Sequence, residues 1–256
     1  MQTIVIIPAR YASQRLPAKP LVLIHGMTMI ERVYRQCQHA EEIDAIYVAT
    51  DHPAIVQEVE RFGGRAIMTS PDCPSGTDRV AEAAAKLNLD KNDIIINVQG
   101  DEPLIDPAVI TALASQMRVH PEIRVATPVT PLRHAEDLTN PNIVFAAKNK
   151  NCDALYFSRH PIPFLRELGA EAVLSWPKQH LYFKHIGVYA YRAEVLQQFI
   201  ALGESPLERA ERLEQLRLLE AGIPIRCIEV QHESVAVDTI QDVRGVELLI
   251  EERGLA

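Results

Sequence analysis

No Gly-x-Gly and no Gly-Lys pair occurs anywhere in the 256 residues. The first absence removes the dinucleotide fingerprint and the second removes the P-loop, so a phosphate bound by this chain must be held by side chains. The cysteines, Cys37, Cys73, Cys152 and Cys227, include no C-x-x-C and no nearby paired histidine, which excludes a soft-metal site by spacing. They read as packing or incidental thiols of a reducing compartment. No apolar run approaches the ~20 residues that span a bilayer. Met1 to Pro8 shows no basic n-region or cleavage-like site, so neither signal peptide nor membrane insertion is expected and the location is expected to be cytoplasmic. An excess of cations is also missing, with 26 Lys and Arg against 34 Asp and Glu and a net charge of −8. That balance argues against a nucleic-acid partner, and an anionic ligand would have to meet a local basic cluster.

What is present is a core-forming chain. Apolar residues make up 47% and charged ones 23%, and surface scaling lets a chain of this mass bury roughly 73% of its unfolded surface. Apolar runs at Thr3–Ile7, Ala45–Ala49, Ala66–Met68 and Ile94–Val98 alternate with helical patterns at Met29–Ala40, Pro53–Phe62, Thr77–Leu87 and Pro107–Val119. Strands apolar on both faces and separated by helices predict an α/β fold with a doubly wound, mostly parallel sheet. After Arg124 the alternation loosens. Strands are expected at Val125–Val129, Val144–Ala147, Leu155–Phe157, Lys184–Tyr191, Ile225–Val230 and Val235–Val237, with a Pro-studded loop over Pro161–Pro177. Ser205, Pro206 and Glu208 form a capping signature for a helix that Gly222 stops, and a terminal helix is expected over Asp242–Glu252. No linker is visible. The expectation is one domain over 1–256, with about 130–190 forming an inserted smaller lobe.

Three polar constellations stand at the ends of these strands. Pro8 to Pro20 places Arg10, Arg15 and Lys19 on a proline-stiffened loop after the first strand, suited to surround a triphosphate or simply to form a solvated basic loop. Asn97-Val98-Gln99-Gly100-Asp101-Glu102-Pro103 turns the most apolar strand into a polar loop. Asp101 there suits a hard cation that takes one carboxylate plus phosphate oxygens, or equally the cap of the helix near Pro107. Ser75-Gly76-Thr77-Asp78-Arg79 suits hydrogen bonding to a base or ribose, and a helix cap explains it as well.

Taken in order, these motifs resemble those of the 3-deoxy-D-manno-octulosonate cytidylyltransferases, the CMP-Kdo synthetases. The resemblance continues through Tyr156-Phe157-Ser158-Arg159, Pro161-Ile162-Pro163, Lys184-His185-Ile186-Gly187-Val188-Tyr189, Leu213-Glu214-Gln215-Leu216-Arg217 and Val237-Asp238-Thr239. It implies a nucleotide-diphospho-sugar transferase fold of Rossmann-like type. The implied reaction is attack of the sugar C2 hydroxyl on the α-phosphate of CTP, giving CMP-Kdo and pyrophosphate for lipopolysaccharide biosynthesis. By resemblance Lys19, Arg10 and Arg15 serve catalysis and the triphosphate, with Ser75, Gly76, Thr77, Arg79 and Gln99 completing the nucleotide site. Asp101 and Asp238 would carry Mg²⁺. Arg159, His185, Tyr189, Glu214 and Gln215 would meet the sugar. A homodimer is implied, with the inserted lobe as its interface.

Plainer readings stand beside these. Asp238 before a terminal helix can be a cap, His185 a half-buried strand histidine, and Glu214 a surface charge. His185 and Tyr189 are expected on one strand face around Gly187, and Glu214 and Gln215 on the helix capped by Ser205. The family usually has glycine where this chain has Ala18 and Ala236, so a positive φ at either position would strain the loop. The rival functions are activation of another acid sugar on the same fold and a binding protein that keeps the pocket without turnover.

Overall fold

A computed structural model describes residues 1–12, 15–164, 166, 181–232 and 235–254. Ser13 and Gln14 of the first motif and most of the loop expected over Pro161–Pro177 lie outside the described residues. The chain opens on β1 (Thr3–Ala9), passes a small hairpin of β2 (Leu23–Ile24) and β3 (Met27–Thr28), and enters α1 (Met29–Gln38). There follow β4 (Ala45–Thr50), α2 (Pro53–Arg61), β5 (Ala66–Met68), α3 (Gly76–Ala85), β6 (Ile94–Asn97) and α4 (Pro107–Val119). The second half runs β7 (Val125–Pro131), β8 (Phe145–Lys148), β9 (Ala154–Ser158), β10 (Phe183–His185), β11 (Tyr189–Arg192) and α5 (Ala193–Leu202). It closes with α6 (Pro206–Glu211), α7 (Leu216–Glu220), β12 (Arg226–Glu229) and α8 (Ile240–Arg253).

The main sheet has the order β5-β4-β1-β6-β11-β7-β10-β8-β9, with β12 paired to β7. The part built from β5, β4, β1 and β6 is parallel, as strand-helix-strand crossovers require. Its strands are apolar on both sides because both faces are covered. Val5 and Ile7 of β1 pack with Ile30 and Val33 of α1 and Val109 and Leu113 of α4. Ile4 and Ile6, one step out of phase, pack with Val80 of α3 and Val195 and Phe199 of α5. From β11 onward the pairings are antiparallel apart from β12 on β7. A third apolar cluster joins Leu16, Leu104 and Val237 to Ile24, Met29 and the inner face of α8 at Val243, Val246 and Ile250.

Four boundaries differ from the sequence expectation. The segment expected as one strand over Lys184–Tyr191 divides into β10 and β11, because the Val188 amide turns back to the Ile186 carbonyl at 2.7 Å. The helix expected between Ser205 and Gly222 divides too: its capping box is present, but Arg212 adopts φ 57° and ends α6. Glu214 and Gln215 therefore lie in the turn before α7 rather than on the capped helix. Helix α5 carries no expectation from sequence, since its N-cap Arg192 makes no side-chain cap and the apolar run of β11 passes straight into it. Val235–Val237 is not a strand; Val237 instead donates to the Asp101 carbonyl at 2.9 Å.

The α6–α7 corner is fixed by a buried bidentate pair, Arg217 Nε and Nη2 to Glu208 at 2.8 and 2.7 Å. The guanidinium also lies 3.9 Å from the Phe199 ring centroid. Removing one partner strands the other charge in the core, so Arg217→Met is expected to lower unfolding stability by about 3 kcal/mol. A urea titration followed by circular dichroism measures it.

Candidate active site

Three loops that meet beside the carboxyl edge of the parallel strands are each anchored by an apolar residue and carry a charged one. Leu16 anchors the loop of Arg15 and Lys19, Leu104 follows Asp101, and Val237 precedes Asp238. The charged residues are thereby presented at a shared position. Lys19 Nζ donates to Asp101 Oδ2 at 2.7 Å and to Asp238 Oδ1 at 3.0 Å, and Arg15 Nη2 reaches the same Asp238 oxygen at 3.0 Å. Lys19 is the sheltered member, with a side chain 14% exposed against 68% for Arg15.

Neither carboxylate is occupied as a helix cap. Asp106 caps α4 through the Ala108 amide at 2.9 Å, and Thr239 caps α8 in a capping box with Asp242. The approach of the Asp101 loop to β1 is close enough that a Cβ on Gly100 would stand 2.7 Å from the Pro8 carbonyl oxygen, which only glycine avoids.

A cleft of about 500 Å³ opens beside this cluster, walled by Arg10, Arg15, Lys19, Ser75, Gly76 and Gln99. Ser75 does cap α3, accepting from the Asp78 amide at 3.1 Å. Arg79 also borders the cleft, but it is buried and its guanidinium is engaged with Thr69 Oγ1 at 2.6 Å, the Ser70 carbonyl at 3.2 Å and Asp51 at 3.0 Å. The other Asp51 oxygen accepts from the Tyr11 amide at 3.0 Å, and the Tyr11 ring stacks on His52 at 3.8 Å. What Arg79 does within the protein is to fix Asp51, which holds the start of the basic loop.

A second cleft of about 990 Å³ adjoins the first. Arg159, His185, Tyr189 and Gln215 line it, Thr77 lies at its border, and Arg15, Gln99, Glu214 and Asp238 line both clefts. All the residues singled out from sequence thus stand on one or both walls. His185 and Tyr189, now on separate strands, still face this space, with ring centroids 5.3 Å apart. Thr127 Oγ1 donates to the Val188 carbonyl at 2.8 Å, so the hydrogen bond of 2.9 Å between it and His185 must be donated by His185 Nε2. That leaves Nδ1 as an acceptor. Burial pushes the His185 imidazole down to about 3, so it stays neutral at physiological pH. Burial raises the Glu214 carboxyl, against the opposing effect of hydrogen bonds with Thr77 and Ser75. Glu214 is therefore no free surface charge. Thr130 Oγ1, Tyr189 OH and Gln215 Nε2, buried on residues of this same wall, have no hydrogen-bond partner among the described residues, a donor and acceptor set matched to a polyhydroxylated ligand.

Comparison with known proteins identifies the family. Residues 4–229 match the family Cytidylyltransferase. The 3-deoxy-manno-octulosonate cytidylyltransferase of Myxococcus xanthus is 50% identical over 253 residues, covering 99% of this chain and 98% of that protein. That of Syntrophotalea carbinolica is 46% identical over 247 residues, covering 96% and 98%. A solved CMP:2-keto-3-deoxy-manno-octonic acid synthetase complexed with CTP superposes with a TM-score of 0.90 at 44% identity, covering 99% of this chain and 100% of that one. The chain belongs to the 3-deoxy-manno-octulosonate cytidylyltransferase family. The fold is shared with a solved 4-diphosphocytidyl-2C-methyl-D-erythritol synthase from Anaerococcus prevotii, TM-score 0.62 at 11% identity, covering 98% of this chain and 96% of that one.

Within this cytidylyltransferase the clefts also hold residues that sequence reasoning did not single out. Lys184 is paired with Asp137 at 2.5 Å on the wall of the second cleft. Arg212 reaches the same wall from its left-handed turn, and Arg159 donates through Nε to the Glu211 carbonyl beside it at 2.9 Å. A lysine in an alternating strand and an arginine inside a helical pattern give no local signal of a site, so only the cleft that β10 and the α6–α7 corner both border reveals them.

Of the two departures from glycine, one has a structural consequence. Ala18 adopts φ 51° and ψ 35° as it opens the short 3-10 helix Lys19–Leu21, whereas Ala236 has no positive φ. The left-handed region costs an alanine about 1–2 kcal/mol, partly offset by the greater chain entropy of glycine when unfolded. Ala18→Gly is therefore expected to stabilise the protein by up to about 1 kcal/mol, read as a raised thermal midpoint with the overall fold unchanged.

Proposed function

We propose that this cytidylyltransferase binds CTP in the smaller cleft and 3-deoxy-D-manno-octulosonate in the larger one. The sugar C2 hydroxyl oxygen then attacks the α-phosphate, the bond to the β-phosphate breaks, and pyrophosphate leaves. The observation that carries this reading is the common wall: Arg15, Gln99, Glu214 and Asp238 border both clefts, and the Lys19 cluster stands at their junction. Nucleotidyl transfer depends on positioning and on neutralising oxygen charge, which is what a junction rich in cations and carboxylates supplies.

Lys19 would offer its ammonium to the α-phosphate, and Arg10 and Arg15 would hold the triphosphate. Ser75, Gly76 and Gln99 border the smaller cleft where base and ribose would rest, and Thr77 would support them from the border of the larger cleft. On the sugar side, His185 would accept a hydrogen bond from a hydroxyl through Nδ1, Arg159 would face the carboxylate, and Tyr189, Glu214 and Gln215 would meet further hydroxyls. The donor set also suits Mg²⁺. Asp101 and Asp238 both lie within 3.0 Å of one nitrogen, so a single hard cation can reach both. Among the described residues no group of three or more His, Cys, Asp or Glu is placed to hold a metal, which leaves room for phosphate oxygens as the remaining ligands. Mg²⁺ bound there would polarise the phosphate and lower the pKa of the attacking hydroxyl.

Pyrophosphate release from CTP and Mg²⁺ is expected only when the sugar is added, with CMP-Kdo detected by mass. Release with a different acid sugar and not with this one would move the substrate within the fold class. CTP binding without any release would favour a protein that has kept the pocket and lost turnover.

We further infer a homodimer formed through the 130–190 lobe, in the cytoplasm. Support comes from β9, which ends the sheet on that side and exposes Leu155, and from the nearby exposed Phe164. Among the described residues no helix is long and apolar enough to cross a membrane. Sedimentation should give a mass near twice that of one chain, and Leu155→Lys should shift it toward the monomer.

A further inference from the structure

Lys19 is not aimed at open solvent: its side chain is only 14% exposed. Its ammonium is shared between Asp101 Oδ2 and Asp238 Oδ1, one oxygen from each of the two carboxylates. We propose that Lys19 blocks this pair in the nucleotide-free protein, so that Mg²⁺ joins Asp101 and Asp238 only when a nucleotide phosphate draws the ammonium away. The proposal rests on the reading that these two carboxylates hold the metal.

Two features of the structure support it. The carboxylates are brought together by contacts that do not involve Lys19. The Val237 amide donates to the Asp101 carbonyl at 2.9 Å, and Leu104 and Val237 share the apolar cluster beneath. Without the ammonium, two anionic side chains would still be held side by side and would attract a cation more strongly. Secondly, a cation held by both carboxylates would compete with the ammonium, which already engages one oxygen of each. Two cations drawn to the same pair of carboxylates repel each other.

Lysine is suited to such an exchange, because its charge is a compact point on a flexible stem that can turn from carboxylate to phosphate without moving the backbone. Arg15, which shares Asp238 Oδ1, is largely exposed, so solvent screens its hold on the carboxylate. The coupling must be reciprocal: a phosphate that removes Lys19 raises metal affinity, and a metal that displaces Lys19 makes the ammonium available to phosphate. Lys19 thereby acts twice, as the occupant of the metal position before the nucleotide arrives and as a phosphate contact afterwards.

The test is Mn²⁺ binding to the full-length protein without nucleotide, read by electron paramagnetic resonance. Lys19→Met is expected to bind Mn²⁺ about tenfold more tightly than the unaltered protein, with Lys19→Gln as a second neutral variant should the first fold poorly. Lys19→Arg, which retains the charge, should stay within about twofold of the unaltered protein. Adding Asp101→Asn to Lys19→Met should abolish the gain. Equal Mn²⁺ affinities for the unaltered protein and both neutral variants would overturn the proposal.

A parallel titration with CTP present, corrected for Mn²⁺ bound by free CTP, separates this from the reading beneath it. Loss of Mn²⁺ in Asp101→Asn upholds the metal assignment even if the Lys19 variants show no gain. Retention of Mn²⁺ in Asp101→Asn would overturn the assignment, and with it the proposal.

Discussion

The ammonium of Lys19 between Asp101 and Asp238 is the constraint on which the site depends. It joins three loops far apart in sequence, each bearing a charge that would repel or stray if left alone. Two carboxylates side by side are unfavourable without a cation, and a sheltered lysine is unfavourable without an anion. The protein meets both costs with one contact and braces it from below with the apolar cluster of Leu16, Leu104 and Val237. The left-handed turn at Ala18 aims Lys19 into that position, and the missing side chain at Gly100 lets the Asp101 loop lie against β1. Backbone strain at one residue and close approach at another are thus both directed to placing a single charge.

The two halves of the fold divide the remaining work. The parallel half ends its strands in loops at one edge, where open α/β sheets bind ligands, and there it places the basic loop, the Ser75 turn and the Asp101 loop. The antiparallel extension brings β10 and β11 across to form the floor of the larger cleft, while the α6–α7 corner, pinned by Arg217 and Glu208, closes its side. Glu214 touches both regions through Ser75 and Thr77 and borders both clefts. A reaction between two substrates needs such a boundary, since each must be held independently while their reacting atoms share one space.

Local pattern was sufficient where each residue's environment followed from its near neighbours. The buried alternation of Ile4 to Ile7, the capping box at Ser205 and the helix caps could be read that way because strand period and cap chemistry act over a few residues. It failed where a non-neighbour decided. Arg212 ends a helix without a glycine signal, and the Ile186–Val188 turn divides a well-alternating strand so that β10 can pair with β7 and β8 while β11 pairs with β6. The Arg79 side chain was legible as part of a polar turn, but its commitment to Asp51 and Thr69 was not.

The sequence by itself determined the fold class, the family and the residue types around the clefts, because hydrophobic period and ordered motifs are properties of the chain read in one direction. Only the tertiary structure decided that Asp101 and Asp238 cap no helix, that His185 is a neutral acceptor, and that Lys19 lies across the two carboxylates. Those outcomes depend on burial and on distances between segments more than 80 and 200 residues apart in sequence. Charge and hydrogen-bond energies are set by such distances and by the dielectric around them, neither of which is written in local order.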